Sequence, residues 1–376
     1  MISRLKVMII VGTRPEIIRL SQVINLCERY FDLTLVHTGQ NWDYSLNEVF
    51  FSELGIRKPD FYLGAAAGNL GETMGNIIAK SYEVLRDEAP DALLILGDTN
   101  SALTAIAAKR LKVPVFHMEA GNRCFDENVP EEINRRIVDH ISDVNLPYTE
   151  HSRRYLISEG IRGDRVFVTG SPMREVLTKH TKNIDSSGVL ERFGLSERKY
   201  ILISAHREEN VDIERNFFSL MSAINEVAEY FDMPVIYSTH PRSKKRIEER
   251  GFIFHENVRN PEPFGFFDYI KLQKNSYCVL SDSGTLSEES AILGFAGVLI
   301  RTSTERPEAL DGGTVVIGGI KSGDIVSAVK LSAAMRDANE TVSPVKDYAD
   351  ANVSVKVVKL IESYTKLINR DVWGKD

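Results

Sequence analysis

The sequence contains little cysteine and no long apolar run, and both absences limit what the protein can be. Its three cysteines, Cys27, Cys124 and Cys278, lie far apart and form no CxxC pair. This excludes a disulfide framework and fits a reducing compartment. No stretch approaches the ~20 apolar residues of a membrane-spanning helix, and the apolar run at residues 7–11 is too short for a signal peptide. We expect a cytoplasmic protein.

Basic charge and metal-ligand motifs are also scarce. The formal net charge is -7, whereas nucleic-acid-binding domains are usually basic, so we expect no nucleic-acid partner. The eight histidines are scattered and no HxxxH, HExxH or Cys/His cluster is present, which argues against a bound metal. The dinucleotide fingerprint GxGxxG, the P-loop and the nucleophile elbow GxSxG are missing as well.

Short apolar runs alternate with helical patterns along the chain, as in βαβ units whose parallel sheet is buried on both faces. Strands are predicted in the first half at residues 6–11, 33–38, 92–96, 113–118, 144–146 and 166–168. Strands are predicted in the second half at residues 200–204, 235–238, 251–254, 278–280, 298–300 and 315–317. We therefore predict an α/β fold with two Rossmann-like, doubly wound parallel-sheet lobes.

The length supports two domains, since 376 residues suit two of ~150–200 residues each. The N-terminal lobe is predicted to span residues 1–172 and the C-terminal lobe residues 173–353. The tail, residues 354–376, has apolar residues at helical spacing and is predicted to pack back on the N-terminal lobe. Ligands bind at the carboxyl ends of strands in such sheets, so the residues that follow each strand are the candidates for function.

Carboxylates in the first half are the candidates for acid–base chemistry. Asp98 and Glu119 follow two apolar strands, while Glu131 and Glu132 open a helix. Asp98 could instead cap a helix, and the two helical glutamates could complement the helix dipole. Glu119 is harder to explain structurally, because a carboxylate at the end of an apolar strand needs a partner or a task.

Residues suited to binding an anion follow other predicted strands. They are Arg14, His206, Ser283, Gly284, Glu289 and Arg306. A turn before a helix offers backbone N–H groups and hydroxyls to a diphosphate, and Glu289 could accept hydrogen bonds from ribose hydroxyls. The structural alternatives are surface arginines at Arg14 and Arg306, and ordinary helix capping at Ser283. For His206 the alternative is a hydrogen-bonded structural histidine.

Eight motifs, taken in their order, resemble those of one enzyme family. They are GTRPE (residues 12–16), HTGQ (37–40), GDT (97–99), EAG (119–121), PEE (130–132), HR (206–207), DSG (282–284) and TERPE (304–308). The series is similar to that of the non-hydrolysing UDP-N-acetylglucosamine 2-epimerases and extends to about Gly319. The resemblance implies a glycosyltransferase-B-like pair of lobes, a UDP site mainly in the C-terminal lobe, no cofactor, and a homodimer.

The resemblance also implies a C2 epimerisation in two half-reactions. UDP leaves anti with loss of the C2 proton, and it adds back to the resulting 2-acetamidoglycal after reprotonation on the other face. Asp98, Glu119 and Glu131 match the family's acids, and His206 matches its essential histidine. Nucleotide contacts match at Arg14, Ser283, Gly284 and Glu289. Glu132, Asp126 and Glu127 are assigned helix-end or loop roles.

The chemistry agrees with these residue types. The C2 hydrogen is not beside a carbonyl, so departure of UDP must first build oxocarbenium character, which nearby carboxylates stabilise. Reprotonation needs an acid, whereas an ordinary carboxylate titrates near ~4, so burial or acidic neighbours must raise its pKa. Which carboxylate is the base and which is the acid stays open.

Some positions depart from the commonest family pattern. They include Glu208, Thr285, Thr302 and residues 122–128. These departures resemble the branch that converts UDP-2-acetamido-2,6-dideoxy-L-talose to UDP-N-acetyl-L-fucosamine for capsule or O-antigen synthesis. The match of residues 117–135 to that branch is the main reason.

Other assignments stay open at this point. The alternatives are a UDP-GlcNAc/UDP-ManNAc 2-epimerase, a hydrolysing 2-epimerase, a glycosyltransferase of the same fold, and a non-catalytic sensor of nucleotide sugars. The departures also put in doubt an allosteric UDP-sugar, whose contacts would include Gln40 and His240. The number of acids near the sugar, Asp98 with Glu119 and Glu131, argues against the glycosyltransferase.

Overall fold

The computed structural model describes residues 4–40, 44–205, 207–239, 241–340 and 345–375. The chain forms two compact units, of which the first contains Met1–Lys179 with Lys346–Asp376 and the second contains His180–Val345. Across the described ranges, none of the helices combines the length and the apolar character that a membrane span requires.

The first unit is built around a parallel sheet of six strands. Its strands are β1 (Lys6–Val11), β2 (Asp32–His37), β3 (Phe61–Tyr62), β4 (Ala92–Leu96), β5 (Val115–Met118) and β6 (Val144–Leu146). Its helices, apart from the C-terminal one, are α1 (Arg14–Tyr30), α2 (Tyr44–Glu53), α3 (Leu70–Glu88), α4 (Thr104–Arg110), α5 (Pro130–Ile141), α6 (Glu150–Ser158) and α7 (Met173–Lys179). The strand order is β3-β2-β1-β4-β5-β6. It reverses between β1 and β4, where ligands bind in such sheets.

The second unit repeats this plan. Its strands are β7 (Ile201–Ser204), β8 (Val235–Tyr237), β9 (Val258–Arg259), β10 (Cys278–Ser281), β11 (Gly297–Leu299) and β12 (Val315–Ile317). Its helices are α8 (Thr181–Asp185), α9 (Val189–Arg192), α10 (Glu208–Val211), α11 (Glu214–Phe231), α12 (Pro241–Glu249), α13 (Phe266–Asn275), α14 (Thr285–Leu293), α15 (Pro307–Asp311) and α16 (Ser322–Asp337). The strand order, β12-β11-β10-β7-β8-β9, reverses between β7 and β10. The predicted class, two doubly wound parallel sheets, is confirmed.

Both faces of each sheet are buried, which explains why the strands are continuously apolar. In the first unit Met8 and Ile10 pack in one core cluster with strand residues such as Leu93, while Ile9 and Val11 are equally buried on the opposite face. Helices cover both faces, so the central strands β4, β5 and β10 are buried at every position.

Two strands differ from the prediction. Residues 166–168 form only one bridge, between Asn145 and Val166, and the sixth strand of the first sheet is β3 instead. Residues 251–254 are not a strand, because Gly251 has a φ of 60° and the chain turns before β9. The strands β3 and β9 have two residues each, too few to show a periodicity.

The C-terminal helix α17 (Val353–Trp373) belongs to the first unit. It packs along α1 and buries Val357, Ile361 and Ile368. The units divide after residues 179 and 345, not after the predicted 172 and 353.

Contacts near the two points where the chain passes from one unit to the other explain these boundaries. Helix α7 packs against α1, so the first unit continues beyond residue 172. The Ser171 N–H donates to the Asp347 carbonyl at 3.0 Å, and the Ser354 N–H donates to Glu175 Oε2 at 2.9 Å. Residues 346–353 are thereby attached to the first unit.

A buried carboxylate ties together two loops at the carboxyl edge of the first sheet. Glu16, in the first turn of α1, accepts hydrogen bonds at Oε2 from the Gly12 N–H at 2.7 Å and the Ser101 hydroxyl at 2.8 Å. Its Oε1 accepts from the hydroxyls of Thr13 at 2.9 Å and Thr99 at 2.5 Å. Burial raises the pKa of Glu16, because loss of water outweighs the hydrogen bonds that favour the charged form.

The variant E16Q should be less stable than the native protein by an amount that shrinks as the pH rises. Because the folded-state pKa is raised above the ordinary 4.5, the native protein loses stability as the pH increases from there toward the folded-state pKa. Glutamine does not titrate and escapes that loss. Urea unfolding of both proteins between pH ~4.5 and ~8 measures the difference, and a difference independent of pH would contradict the assignment.

Candidate active site

Asp98 follows β4, and an arginine fixes its carboxylate. Its Oδ2 accepts a hydrogen bond from Nε of Arg135 at 2.7 Å and forms an ion pair with Nη2, also at 2.7 Å. Its Oδ1 accepts no hydrogen bond from any residue in the described ranges, and the side chain is 22% exposed. The capping alternative for Asp98 is wrong, because the short 3₁₀ helix Asn100–Leu103 is preceded by Thr99 as its N-cap.

Helix α5 supplies Arg135 and two further carboxylates. Glu131 and Glu132 lie in its first turn, and Glu131 is half-buried. Glu132 is fully buried, and its Oε2 accepts from the Cys124 N–H at 3.1 Å and from Arg135 Nη1 at 2.9 Å. Burial alone would raise the pKa of Glu132, but these hydrogen bonds hold it below the ordinary value. Glu132 therefore does more than end a helix, because it binds the arginine that binds Asp98.

Glu119 follows β5 in a left-handed backbone conformation, with a φ of 65°. Its Oε2 forms a buried ion pair with Arg19 of α1, and its Oε1 accepts from Asn122 Nδ2 at 3.4 Å. A methyl group placed on Gly97 would lie 3.4 Å from Oε2, so this carboxylate sits beside the residue that precedes Asp98. The structure thus brings the acids of β4 and β5 to one edge of the sheet.

A buried network supports the turn that contains Glu119. Nε2 of His117 lies 2.8 Å from the Gly97 carbonyl oxygen, and Nδ1 lies 3.0 Å from Asp139 Oδ1. Both ring nitrogens face acceptors, an arrangement that favours the doubly protonated ring. Burial alone would lower the pKa of His117, but the Asp139 carboxylate outweighs it and raises this pKa. Asp139 also accepts from the Gly121 N–H and from Arg123 Nη1 at 2.7 Å, which fixes the turn.

Arg14 begins α1 directly after β1. Its guanidinium lies over the Phe50 ring, 5.8 Å from the ring centroid. The preceding Gly12 must be a glycine, because an added Cβ would lie 2.4 Å from Thr38 Oγ1. The β1–α1 loop is therefore tightly packed. Strands β1 and β4 are neighbours in the sheet, so the loop that contains Arg14 lies beside the loop that contains Asp98 and Thr99.

In the second unit, Ser283 and Gly284 form the turn between β10 and α14. The Ser283 hydroxyl lies 3.1 Å from the Thr285 hydroxyl, so the threonine that departs from the family pattern adds a polar group here. A Cβ on Gly284 would lie 2.4 Å from Glu305 Oε1, so a larger residue here would have to displace the Glu305 carboxylate. The turn opens a nine-residue helix, whose N-terminus favours anions.

Arginines and carboxylates surround this turn. Arg207 donates from its backbone N–H to Asp282 Oδ2 at 2.9 Å, and its Nη2 lies 3.4 Å from Glu305 Oε1. Arg301 Nη1 donates to Glu305 Oε2 at 2.7 Å. Glu305 is thus held by two arginines, against the backbone of Gly284.

The remaining predicted nucleotide contacts are buried in the same unit. Arg306 is only 1% exposed and its Nη2 lies 3.0 Å from Glu288 Oε1, so the surface-arginine alternative is wrong. Glu289 Oε2 accepts from Gln273 Nε2 at 2.6 Å. His206 lies outside the described residues.

Among the described residues, no group of three or more histidines, cysteines or acids could hold a metal ion.

Arg19 and Arg135, the buried cations that bind the acids, are not among the site residues predicted from the sequence. One signal was available, since a carboxylate at the end of a buried strand needs a partner and a glutamate three residues before an arginine on a helix forms a pair. Asp126 fits its predicted loop role, because its Oδ1 accepts from the Asn128 N–H at 3.0 Å. The two units thus differ in their polar groups: the first has carboxylates paired with buried arginines, and the second has donors and a helix N-terminus suited to an anion.

Comparisons with known proteins give the family of this chain. The family model described as UDP-N-acetylglucosamine 2-epimerase matches residues 25–362. The solved structure of UDP-N-acetylglucosamine 2-epimerase from Rickettsia bellii is 47% identical, with a TM-score of 0.91 over 99% of this chain and 100% of that chain.

Two further relatives are similar over most of their length. The UDP-GlcNAc 2-epimerase of Methanocaldococcus jannaschii, solved in complex with UDP-GlcNAc and UDP, is 33% identical with a TM-score of 0.88 over 95% of this chain and 99% of that chain. The UDP-2,3-diacetamido-2,3-dideoxy-D-glucuronate 2-epimerase of Pseudomonas aeruginosa is 34% identical over 87% of this chain and 92% of that protein. The fold is glycosyltransferase-B-like, as predicted. The chain belongs to the UDP-N-acetylglucosamine 2-epimerase family and is an isomerase.

Proposed function

We propose that this chain inverts C2 of a UDP-linked 2-acetamido-2-deoxyhexose by eliminating UDP and adding it back. The observation that carries the proposal is the pair of carboxylates, Asp98 and Glu119, delivered by neighbouring strands and each bound to a buried arginine. Such a pair can exchange a proton with a carbon only while the sugar bears positive charge at C1, which departure of UDP provides. A relative solved with UDP-GlcNAc and UDP supports the substrate class.

In the first half-reaction, the bond between C1 and the diphosphate oxygen breaks and its electron pair leaves with UDP. A carboxylate takes the C2 proton, and the electrons of that C–H bond form the C1=C2 double bond of the glycal. Carboxylates near the ring stabilise the oxocarbenium character that precedes proton loss. We assign these roles to Asp98, Glu119 and Glu131.

The leaving diphosphate is stabilised by donors of the kind found in the second unit. The turn at Ser283 and Gly284 precedes a helix N-terminus, which favours negative charge, and we assign further contacts to Arg306, His206 and Arg14. Glu289 is assigned to the ribose hydroxyls. In the second half-reaction, an acid protonates C2 on the opposite face and UDP re-forms its bond to C1.

For the sugar, we propose UDP-2-acetamido-2,6-dideoxy-L-talose, which gives UDP-N-acetyl-L-fucosamine and feeds capsule or O-antigen synthesis. The resemblance over residues 117–135 supports this choice. Within that segment Asn122 donates to Glu119 and also accepts from the Ser152 hydroxyl at 3.0 Å, so a residue that departs from the common pattern contacts a proposed acid. A homodimer and a cytoplasmic location stay predictions.

UDP-GlcNAc is the second candidate substrate. The relatives from Rickettsia bellii and Methanocaldococcus jannaschii are both described as acting on it, and the first shares 47% of its residues with this chain. The Pseudomonas aeruginosa relative is described with a different UDP-sugar, so similarity at this level does not fix the sugar.

Incubation of the enzyme with each UDP-sugar in D2O should give the C2 epimer carrying deuterium at C2. The solvent supplies the label because the acid that protonates C2 on the opposite face carries a proton that has exchanged with D2O, not the proton that the base removed. Proton NMR and mass spectrometry of the products measure both the label and the preferred sugar. Free sugar with released UDP would show a hydrolysing enzyme, and unlabelled, unchanged substrates would contradict the proposed function.

Replacing either strand-end carboxylate should remove most of the activity. We expect D98N and E119Q to lower kcat by ~10²–10⁴, the usual contribution of a positioned acid or base. E127Q is the matched control, because Glu127 is 74% exposed and pairs only at the surface with Arg136. Circular dichroism first shows that each variant is folded, and steady-state kinetics then measure its kcat. A native kcat in both D98N and E119Q would disprove the assignment.

A further inference from the structure

Arg135 connects the first-unit carboxylates through three separate nitrogen atoms. Its Nε donates to Asp98 Oδ2 at 2.7 Å, its Nη2 lies 2.7 Å from the same oxygen as an ion pair, and its Nη1 donates to Glu132 Oε2 at 2.9 Å. The guanidinium is planar and cannot turn without breaking one of these contacts. The position of the guanidinium is therefore set by Asp98 and by Glu132.

Glu132 is itself fixed. It lies three residues before Arg135 on α5, is completely buried, and accepts the backbone N–H of Cys124. The pKa of Glu132 is lowered, so it is a charged partner for the guanidinium at neutral pH. The helix thus carries both the arginine and the group that holds the arginine in place.

The same helix also holds the backbone of the Asp98 loop. Asn134 Nδ2 donates to the Asp98 carbonyl oxygen at 2.9 Å and to Asn100 Oδ1 at 3.2 Å. Asp98 is therefore fixed at its main chain by Asn134 and at its carboxylate by Arg135. This leaves Oδ1 as the carboxylate oxygen that accepts nothing from the described part of the chain.

Glu119 differs from Asp98 in this respect. One of its oxygens is bound to Arg19 and the other accepts from Asn122. Asp98 alone of this pair has one oxygen fully engaged and the other without a donor among the described residues. A base needs this arrangement, because the engaged oxygen sets the direction and the other receives the proton.

We propose that Glu132 and Arg135 are positioning residues that aim Asp98 Oδ1 at the reacting carbon. The inference rests on the proposed function for its chemistry. It assigns no substrate contact to either residue. Both act by limiting the rotation of one carboxylate, so their loss should slow the chemical step and leave substrate binding largely intact.

The test compares R135A with R136A in the full-length enzyme. Arg136 is the next residue of α5, is half-exposed, contacts Glu127 and lies 3.6 Å from Glu132 Oε1. Its removal leaves the contacts of Arg135 with Asp98 Oδ2 and with Glu132 Oε2 in place. A displacement of about 1 Å can cost ~10² in rate. We expect kcat of R135A to fall by about that factor with KM changed by less than ~3-fold, and kcat of R136A to stay within ~2-fold of native.

Rescue of R135A by an added cation distinguishes loss of the contact with Asp98 from a general loss of folded structure. Guanidinium ion at low concentration should raise kcat of R135A, because it can occupy the space beside Asp98, and should not raise kcat of D98N. E132Q should lie between the native enzyme and R135A. Equal losses in R135A and R136A, or a native kcat in R135A, would overturn the role of Arg135. A native kcat in E132Q would overturn the role of Glu132.

Crystal structures of R135A and R136A keep the inference testable whatever the reaction proves to be. We expect the Asp98 carboxylate to rotate or become disordered in R135A and to keep its orientation in R136A. An unchanged Asp98 in R135A would refute the positioning role even if the enzyme is active. A native enzyme that leaves both UDP-sugars unchanged would instead refute the proposed function, while the Asp98 orientation still decides on Arg135.

Discussion

Buried ion pairs between arginines and carboxylates at the carboxyl edge of the first sheet are the interactions on which the proposed site depends. Arg19 holds Glu119, and Arg135 lies between Asp98 and Glu132. Breaking such a pair leaves a charge buried without a partner, which typically costs about 3–5 kcal/mol. The acids are therefore held where the helices place the arginines.

The arginines are held by the fold itself. Arg19 lies on α1, which packs against α7 and α17, and Arg135 lies on α5, which follows the Glu119 turn. A second layer supports that turn, since Arg123 pairs with Asp139 and Glu159 and Asp139 pairs with His117. The positive φ of Glu119, a strained conformation for a residue with a side chain, persists because this layer determines it. Packing away from the carboxylates thus fixes the direction of the side chains that we propose as catalytic groups.

The second unit uses the same residue types for a different purpose. Glu305, held by Arg301 and Arg207, lies against Gly284, and Glu288 holds Arg306. Here the paired charges shape a turn and a helix N-terminus, features that favour an anion. The proposed division, with proton transfer assigned to one unit and anion binding to the other, agrees with a reaction in which a nucleoside diphosphate leaves and returns.

The sequence predicted the strands that matter for the site, because β1, β4, β5, β7 and β10 are buried apolar runs with clear ends. It missed β3 and β9, whose two residues show no period. It predicted that Asp98 and Glu119 lie at the ends of strands, since a polar residue after an apolar strand is a local signal, and that Glu131 opens a helix after Pro130. It could not show Arg19 as the partner of Glu119, because that contact joins residues 100 apart and depends on how α1 packs. It also underrated Glu132, whose burial is a tertiary property.

Elimination and return of UDP is the central claim, and the fate of the oxygen between C1 and the diphosphate tests it most directly. A UDP-sugar carrying heavy oxygen in that bridge can be incubated with the enzyme and followed by phosphorus NMR, which distinguishes bridging from non-bridging positions. If the C1–O bond breaks, the β-phosphate of bound UDP can rotate, and the label spreads to non-bridging oxygens as the epimer forms. Full retention of the label in the bridge of epimerised product would contradict elimination and require a route that leaves the bond to UDP intact.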